Sequence, residues 1–308
     1  MGRPSCLLAL SLEAEPAVWC RRLQGALLGA SRRLPSARVY LLCAAPWTNR
    51  PLSPEGVKAL SLMYDCVPSD AAMLDLVPLL PTAGWTPERA ATLDVDQLLL
   101  AAQPCAQEEE AIHKLRRARE ASGLSSLEAP TEESLGSLPI RMDRPVLDSP
   151  RDALLYPGVA VGGTFDRMHA GHRLLLVVAA LACSRRIYIG VTGDLLLANK
   201  QACPPLDAPL VFLLRDPPNA HLIWPYQRRE AAAVEFVKAV RPSLEVETSA
   251  LLDPKVPPKA ATMAAITGLV ISRETYAGAQ QLAQMRLEGG IEEPLDFILV
   301  DLVGAESQ

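Results

Sequence analysis

The chain has 308 residues, enough for about two domains. Apolar residues make up 49% and charged residues 21%, an ordinary globular composition in which both halves can bury a core. A net charge of −5, a pI near 5.5 and 5% aromatics exclude a basic or base-stacking surface for nucleic acid, so any anionic ligand must be met by local groups.

In chain order, CLLALSL (6–12) reads as a strand, 17–34 as a helix and ARVYLLCA (37–44) as a second strand, one strand–helix–strand unit. The N-terminus reads as that first strand rather than as a secretory signal. Gly2 follows Met1, but Cys6 stands where a myristoylation motif needs Ser or Thr. No apolar run reaches the ~18 residues of a transmembrane segment. The seven cysteines are odd in number and hold no C-x-x-C pair, which points to reduced thiols rather than a disulfide framework or zinc knuckle. A cytoplasmic location is expected; Arg21, Arg22, Arg32 and Arg33 leave a mitochondrial address open, although Glu13 and Glu15 weaken it.

Pro-punctuated segments follow, then a charged helix over 108–122 whose His113 is expected on a solvated face. Residues 123–157 are rich in Pro, Ser, Glu and Gly, a composition that buries little surface. The expected layout is an N-terminal α/β region over 1–122, a linker over 123–155 and a second domain over 156–308.

The second half alternates more regularly. Strands are expected at 158–163, 187–192, 244–249, 268–272 and 295–302, and helices at 171–184, 227–242 and 274–290. Such alternation makes a parallel α/β sheet with helices on both faces, a Rossmann-like architecture whose ligands bind beyond the carboxyl ends of the strands. Residues 201–225, interrupted by six prolines, read as a long loop or insertion.

GGTFDRMHAGH falls at such a strand end and holds two of the chain's four histidines. Gly162 and Gly163 remove side chains where phosphates would approach. Thr164 offers a hydroxyl, and the turn through Phe165 and Asp166 offers backbone N–H groups. With a helix starting near 169–171, the three-residue spacing places His169 and His172, on either side of Gly171, near one face of its first turn. Free N–H groups and the macrodipole there attract anions, so the set suits a polyphosphate. His-x-x-His can also chelate a metal, but a zinc site wants a third or fourth ligand and only Asp166 stands nearby. A turn with satisfied histidines is the structural alternative.

GGTFDRMHAGH resembles the (T/H)-x-G-H signature of the nucleotidylyltransferase superfamily, and VISRETYAG (270–278) resembles the V-S-x-E-T-x-x-G segment of the phosphopantetheine adenylyltransferase family of the eukaryotic, CoA synthase type. GVTGDLLLANK, YQRREAAAVEFVKAVRPSL and LLDP are similar to further segments of that family. The resemblance spans about residues 156–302 and implies the nucleotidylyltransferase fold. It also implies transfer of the adenylyl group of ATP, accompanied by Mg²⁺, to 4′-phosphopantetheine, giving dephospho-CoA and pyrophosphate. It implies that Thr164 and His172 contact the ATP phosphates, that His169 assists at the triphosphate and that Lys200 reaches the reacting phosphates. Ser272, Glu274 and Thr275 would hold the nucleotide, with Arg286 a further phosphate contact. The substrate loop reads PKVPPKAA after Asp253 where the family has P-Y-G-P, and no G-x-x-x-x-G-K-[ST] kinase cradle occurs, so the likeness is to the adenylyltransferase half alone. Another small-molecule nucleotidylyltransferase, or a non-catalytic nucleotide-binding scaffold, are the alternative functions. The sequence leaves the oligomeric state undetermined.

Overall fold

The structure is a computed structural model that describes residues 3–34, 36–67, 74–101, 104–124, 153–194, 197, 223–253 and 255–301. The chain divides into two compact units, Met1–Val146 and Leu147–Gln308. The stretch 125–152, which holds most of the expected linker, and 198–222, which holds Lys200 and most of the expected insertion, lie outside the described residues.

The N-terminal unit is a four-stranded parallel sheet in the order β3-β2-β1-β4. Its strands are β1 (Ser5–Ser11), β2 (Arg38–Ala44), β3 (Asp75–Leu79) and β4 (Gln97–Leu100). Helices α1 (Pro16–Arg33), α2 (Pro54–Asp65), α3 (Pro87–Ala90) and α4 (Ala106–Ala121) connect and follow them. Every residue of β1 is buried, as expected of a parallel strand covered on both faces. The segments between β2 and α4, read from sequence only as Pro-punctuated, contain two strands and two helices. Their prolines start helices: Pro54 and Pro87 occupy first-turn positions, where a missing N–H costs nothing. Pro78 lies within β3, which is tolerated because β3 is an edge strand.

The C-terminal unit is a five-stranded parallel sheet in the order β7-β6-β5-β8-β9. Its strands are β5 (Tyr156–Gly163), β6 (Cys183–Thr192), β7 (Glu245–Leu251), β8 (Gly268–Ser272) and β9 (Asp296–Val300). The connecting helices are α5 (Ala170–Ala182), α6 (Tyr226–Val240), α7 (Lys259–Thr262) and α8 (Tyr276–Glu288). Helix α5 packs on α6 and α7 on α8; with the usual right-handed crossovers, the reversal of strand order between β5 and β8 puts the two pairs on opposite faces. Helix α5 is apolar on nearly all sides and buries ten of its thirteen residues. Ala160, Leu269, Ile271, Ala261 and Leu282 fill the core beneath α7 and α8. The register pairs Val161 with Ile189 on one side and with Val270 on the other, so β5, β6 and β8 end together. That reversal is the topological switch point of an open α/β sheet, where ligand sites form. Among the described residues no helix is long and apolar enough to cross a membrane.

Candidate functional site: a histidine pair at an uncapped helix end

Beyond Gly163 the chain turns through a strained segment. Phe165, Arg167 and Met168 all have positive φ, at 53°, 50° and 42°. Each such non-glycine residue costs on the order of 1–2 kcal/mol, so the surroundings must hold the turn in place. Two contacts do so directly. The Asp166 carboxylate accepts from the Trp224 backbone N–H at 2.9 Å, and the Thr164 carbonyl accepts from Arg229 Nη1 at 2.8 Å. Phe165 is fully buried, and its ring lies where a Cβ on Gly163 would sit, at 3.2 Å. Gly163 therefore makes room for Phe165 rather than for a ligand. Among the described residues nothing comes nearer than 3.9 Å to a Cβ at Gly162, so the open approach above the strand end lies there.

His169 ends the turn with extended backbone and forms the N-cap of α5, but its side chain makes no capping bond. The first turn of α5 carries no acidic residue either. Its leading N–H groups thus keep the anion-attracting character of a helix start. The His169 and His172 rings stack with centroids 3.8 Å apart and planes 29° from parallel. Gly171 permits this stack, since a Cβ there would lie 3.2 Å from His169 Cε1 and 3.3 Å from Nδ1. Beneath the pair, Phe165 meets His172 at a tilt, with centroids 5.4 Å apart.

His172 is buried, and its Nδ1 has no hydrogen-bond partner. Burial pushes its pKa well below the usual imidazole value; His169 and the Arg173 and Arg229 guanidiniums push the same way, against the Asp166 backbone. The imidazole is therefore neutral at pH 7. A buried nitrogen without a partner is uncommon in a folded protein and calls for an explanation.

Next along the sheet, Ser272 ends β8 and begins a short 3₁₀ turn over Arg273–Thr275 that leads into α8. Thr275 Oγ1 donates to the Ser272 carbonyl at 3.0 Å and lies 3.4 Å from Ser272 Oγ. Neither hydroxyl caps a helix N–H. Glu274 is exposed. Strand adjacency brings this segment and the GGTFD turn to the same edge of the sheet. Arg286 is not at that edge as a free cation. It is buried, donating to the carbonyls of Ala260, Met263 and Glu293, and so braces the segment around α7 and the turn after α8.

The sequence reading missed Arg229 and the Asp166–Trp224 contact. Arg228 and Arg229 look alike in an amphipathic helix, yet Arg228 lies exposed over the Trp224 ring at 3.6 Å while Arg229 is wholly buried.

No family model matches the chain. Over 162 residues it is 33% identical to the phosphopantetheine adenylyltransferase of Saccharomyces cerevisiae, a span covering 53% of this chain and 47% of the yeast protein. It is 30% identical over 152 residues to the phosphopantetheine adenylyltransferase of Thermococcus kodakarensis, covering 48% of this chain and 76% of that protein. The Methanosarcina mazei phosphopantetheine adenylyltransferase is also 30% identical over 152 residues, covering 49% of this chain and 83% of that one. A solved protein of unknown function from Archaeoglobus fulgidus aligns with a TM-score of 0.36 at 27% identity, covering 49% of this chain and 94% of the other. The matched part thus spans about half of this chain and about half of the yeast relative. The chain belongs to the phosphopantetheine adenylyltransferase family.

Proposed function

We propose that residues 156–308 transfer the adenylyl group of ATP to 4′-phosphopantetheine, giving dephospho-CoA and pyrophosphate. The observation that carries this reading is the stacked His169–His172 pair at the uncapped start of α5, at the switch point of a parallel sheet.

A phosphate oxygen of the acceptor attacks the α-phosphorus of ATP in line, and pyrophosphate leaves. The nucleophile is already anionic at neutral pH, so no general base is required. The difficulty is bringing two polyanions together, which positioning and charge stabilisation overcome. The N–H groups of α5 and the Thr164 hydroxyl receive the triphosphate, with His169 at its outer phosphates. His172 gains proton affinity as negative charge accumulates beside it, takes up a proton and through it donates to the α-phosphate. Gly162 leaves room above the strand end, while Phe165, Gly163 and Gly171 fix the two rings. Asp166 anchors the turn to Trp224. Ser272, Glu274 and Thr275, at the neighbouring strand end, hold the nucleoside. Lys200 serves as a further phosphate contact. Mg²⁺ enters with the nucleotide, bound mainly by phosphate oxygens and water. Among the described residues no cluster of three or more His, Cys, Asp or Glu is set to hold a metal.

The test is pyrophosphate release by the purified chain, with ATP and CTP each offered against 4′-phosphopantetheine, nicotinamide mononucleotide and phosphocholine. Turnover is expected with ATP and 4′-phosphopantetheine. Turnover with another pair instead would reassign the substrate, and ATP binding without release in any pair would make the domain a nucleotide-binding scaffold.

A further inference from the structure

Arg229 is wholly buried in the first turn of α6, and each of its three nitrogens donates a hydrogen bond. Nε donates to the Trp224 carbonyl at 2.7 Å. Nη1 donates to the carbonyls of Thr164 and Thr192, each at 2.8 Å. Nη2 pairs with Asp194 Oδ1 at 2.6 Å, a carboxylate that is itself 62% exposed. The same Asp194 accepts from the Tyr226 N–H at 3.4 Å. One planar guanidinium thus binds the turn after β5, the end of β6, the segment after β6 and the entry to α6. Here the carbonyl it grips belongs to Thr164, immediately before three positive-φ residues and the histidine pair. A buried charge with a fixed fork of donors imposes one geometry on its acceptors, which a lysine point charge does not.

We propose that Arg229 is a positioning residue for adenylyl transfer, holding the Thr164 carbonyl so that the strained GGTFD turn presents His169 and His172 to the nucleotide. The proposal rests on the adenylyl-transfer reading only for its kinetic part.

The experiment compares the full wild-type chain with Arg229→Lys and Asp194→Ala. It reads the folded fraction, the imidazole NMR resonances of His169 and His172 without ligand, ATP affinity by calorimetry, and kcat and KM per folded molecule. Arg229→Lys is expected to shift both imidazole signals, weaken ATP binding and lower kcat at least tenfold. KM for 4′-phosphopantetheine should stay within twofold. Asp194→Ala, which frees one guanidinium nitrogen but keeps the carbonyl bonds, is expected to shift the same signals less and lower kcat two- to fivefold. Wild-type resonances and kcat in folded Arg229→Lys would overturn the proposal. So would an unperturbed Asp194→Ala if Arg229→Lys fails to fold. If the wild-type chain releases no pyrophosphate, adenylyl transfer fails as a reading, while resonances and ATP affinity still decide the role of Arg229.

Discussion

In the N-terminal unit, α1 begins on Glu15 without a side-chain cap, whereas α2, α3 and α4 are closed by the chain's own side chains. Ser53 accepts from Gly56 N–H at the start of α2, and Thr86 from Arg89 N–H at the start of α3. At α4, Glu108 accepts from Cys105 N–H, from Ser11 N–H at 2.6 Å and from both terminal nitrogens of Arg22. Ser11 ends β1 and α4 follows β4, so this buried carboxylate fills that sheet's own switch point with an internal anion. In the C-terminal unit, α5 and α8 begin on His169 and Thr275 without a side-chain cap, and His172 Nδ1 is left without a partner. At its switch point the N-terminal sheet thus holds a carboxylate of its own chain, Glu108. The C-terminal sheet has no acidic residue in the first turn of α5, where the proposed reading puts the phosphates of the nucleotide.

The largest effect expected from breaking this contrast is at His172. His172→Ala should leave the fold intact and lower pyrophosphate release on the order of 10²–10³-fold, since one lost electrostatic donor costs about 3–4 kcal/mol in the barrier. Steady-state assays normalised to folded protein read this directly. On the other side of the contrast, Glu108→Ala removes the buried carboxylate that the Arg22 guanidinium and the Ser11 and Cys105 N–H groups share. A stability loss of about 3 kcal/mol is expected in denaturant unfolding. Gly171→Ala separates the two currencies within one residue. The new methyl improves helix propensity by roughly 0.5–1 kcal/mol while crowding the His169 ring. The melting temperature should hold or rise while KM for ATP increases about tenfold. A lower melting temperature with unchanged KM would mean the stack is structural only.

A smaller effect follows from His172 itself. Its pKa is depressed in the folded state. Below about pH 6.5 the unfolded chain therefore binds a proton that the folded chain refuses, and stability contributed above that pH is lost as the pH falls. His172→Gln should flatten this decline between about pH 6.5 and 5, measured by unfolding at several pH values.

Much of the C-terminal unit was legible because its strands alternate with amphipathic or wholly apolar segments, and because the glycines and histidines of 161–172 mark a strand end. The N-terminal unit was legible at its first strand–helix–strand and at the charged helix that forms α4, but not between them. There the prolines of 46–87 were read as interruptions, although Pro54 and Pro87 begin helices and Pro78 sits on a sheet edge. Glu108 was hidden for a different reason. In EEEAIHKLRRAREAS it looks like one of many solvated charges, and only the fold shows that its carboxylate meets Ser11, 97 positions away. Arg229 was hidden likewise, since its acceptors are backbone carbonyls that no side-chain pattern records. Periodicity reports which face of a helix is apolar, not which single charge crosses to the inside.

The central claim is that a stacked imidazole pair at an open helix end, with His172 held neutral by burial, receives the triphosphate. Calorimetric titration of ATP at pH 7 in two buffers of different ionisation enthalpy tests it most directly, run in parallel on wild type and His172→Ala. The account predicts net proton uptake by the wild-type chain, because the arriving polyanion raises the His172 pKa, and its loss together with weaker binding in the variant. Equal binding heats in both buffers for the wild type, or the same uptake and affinity in the variant, would contradict it.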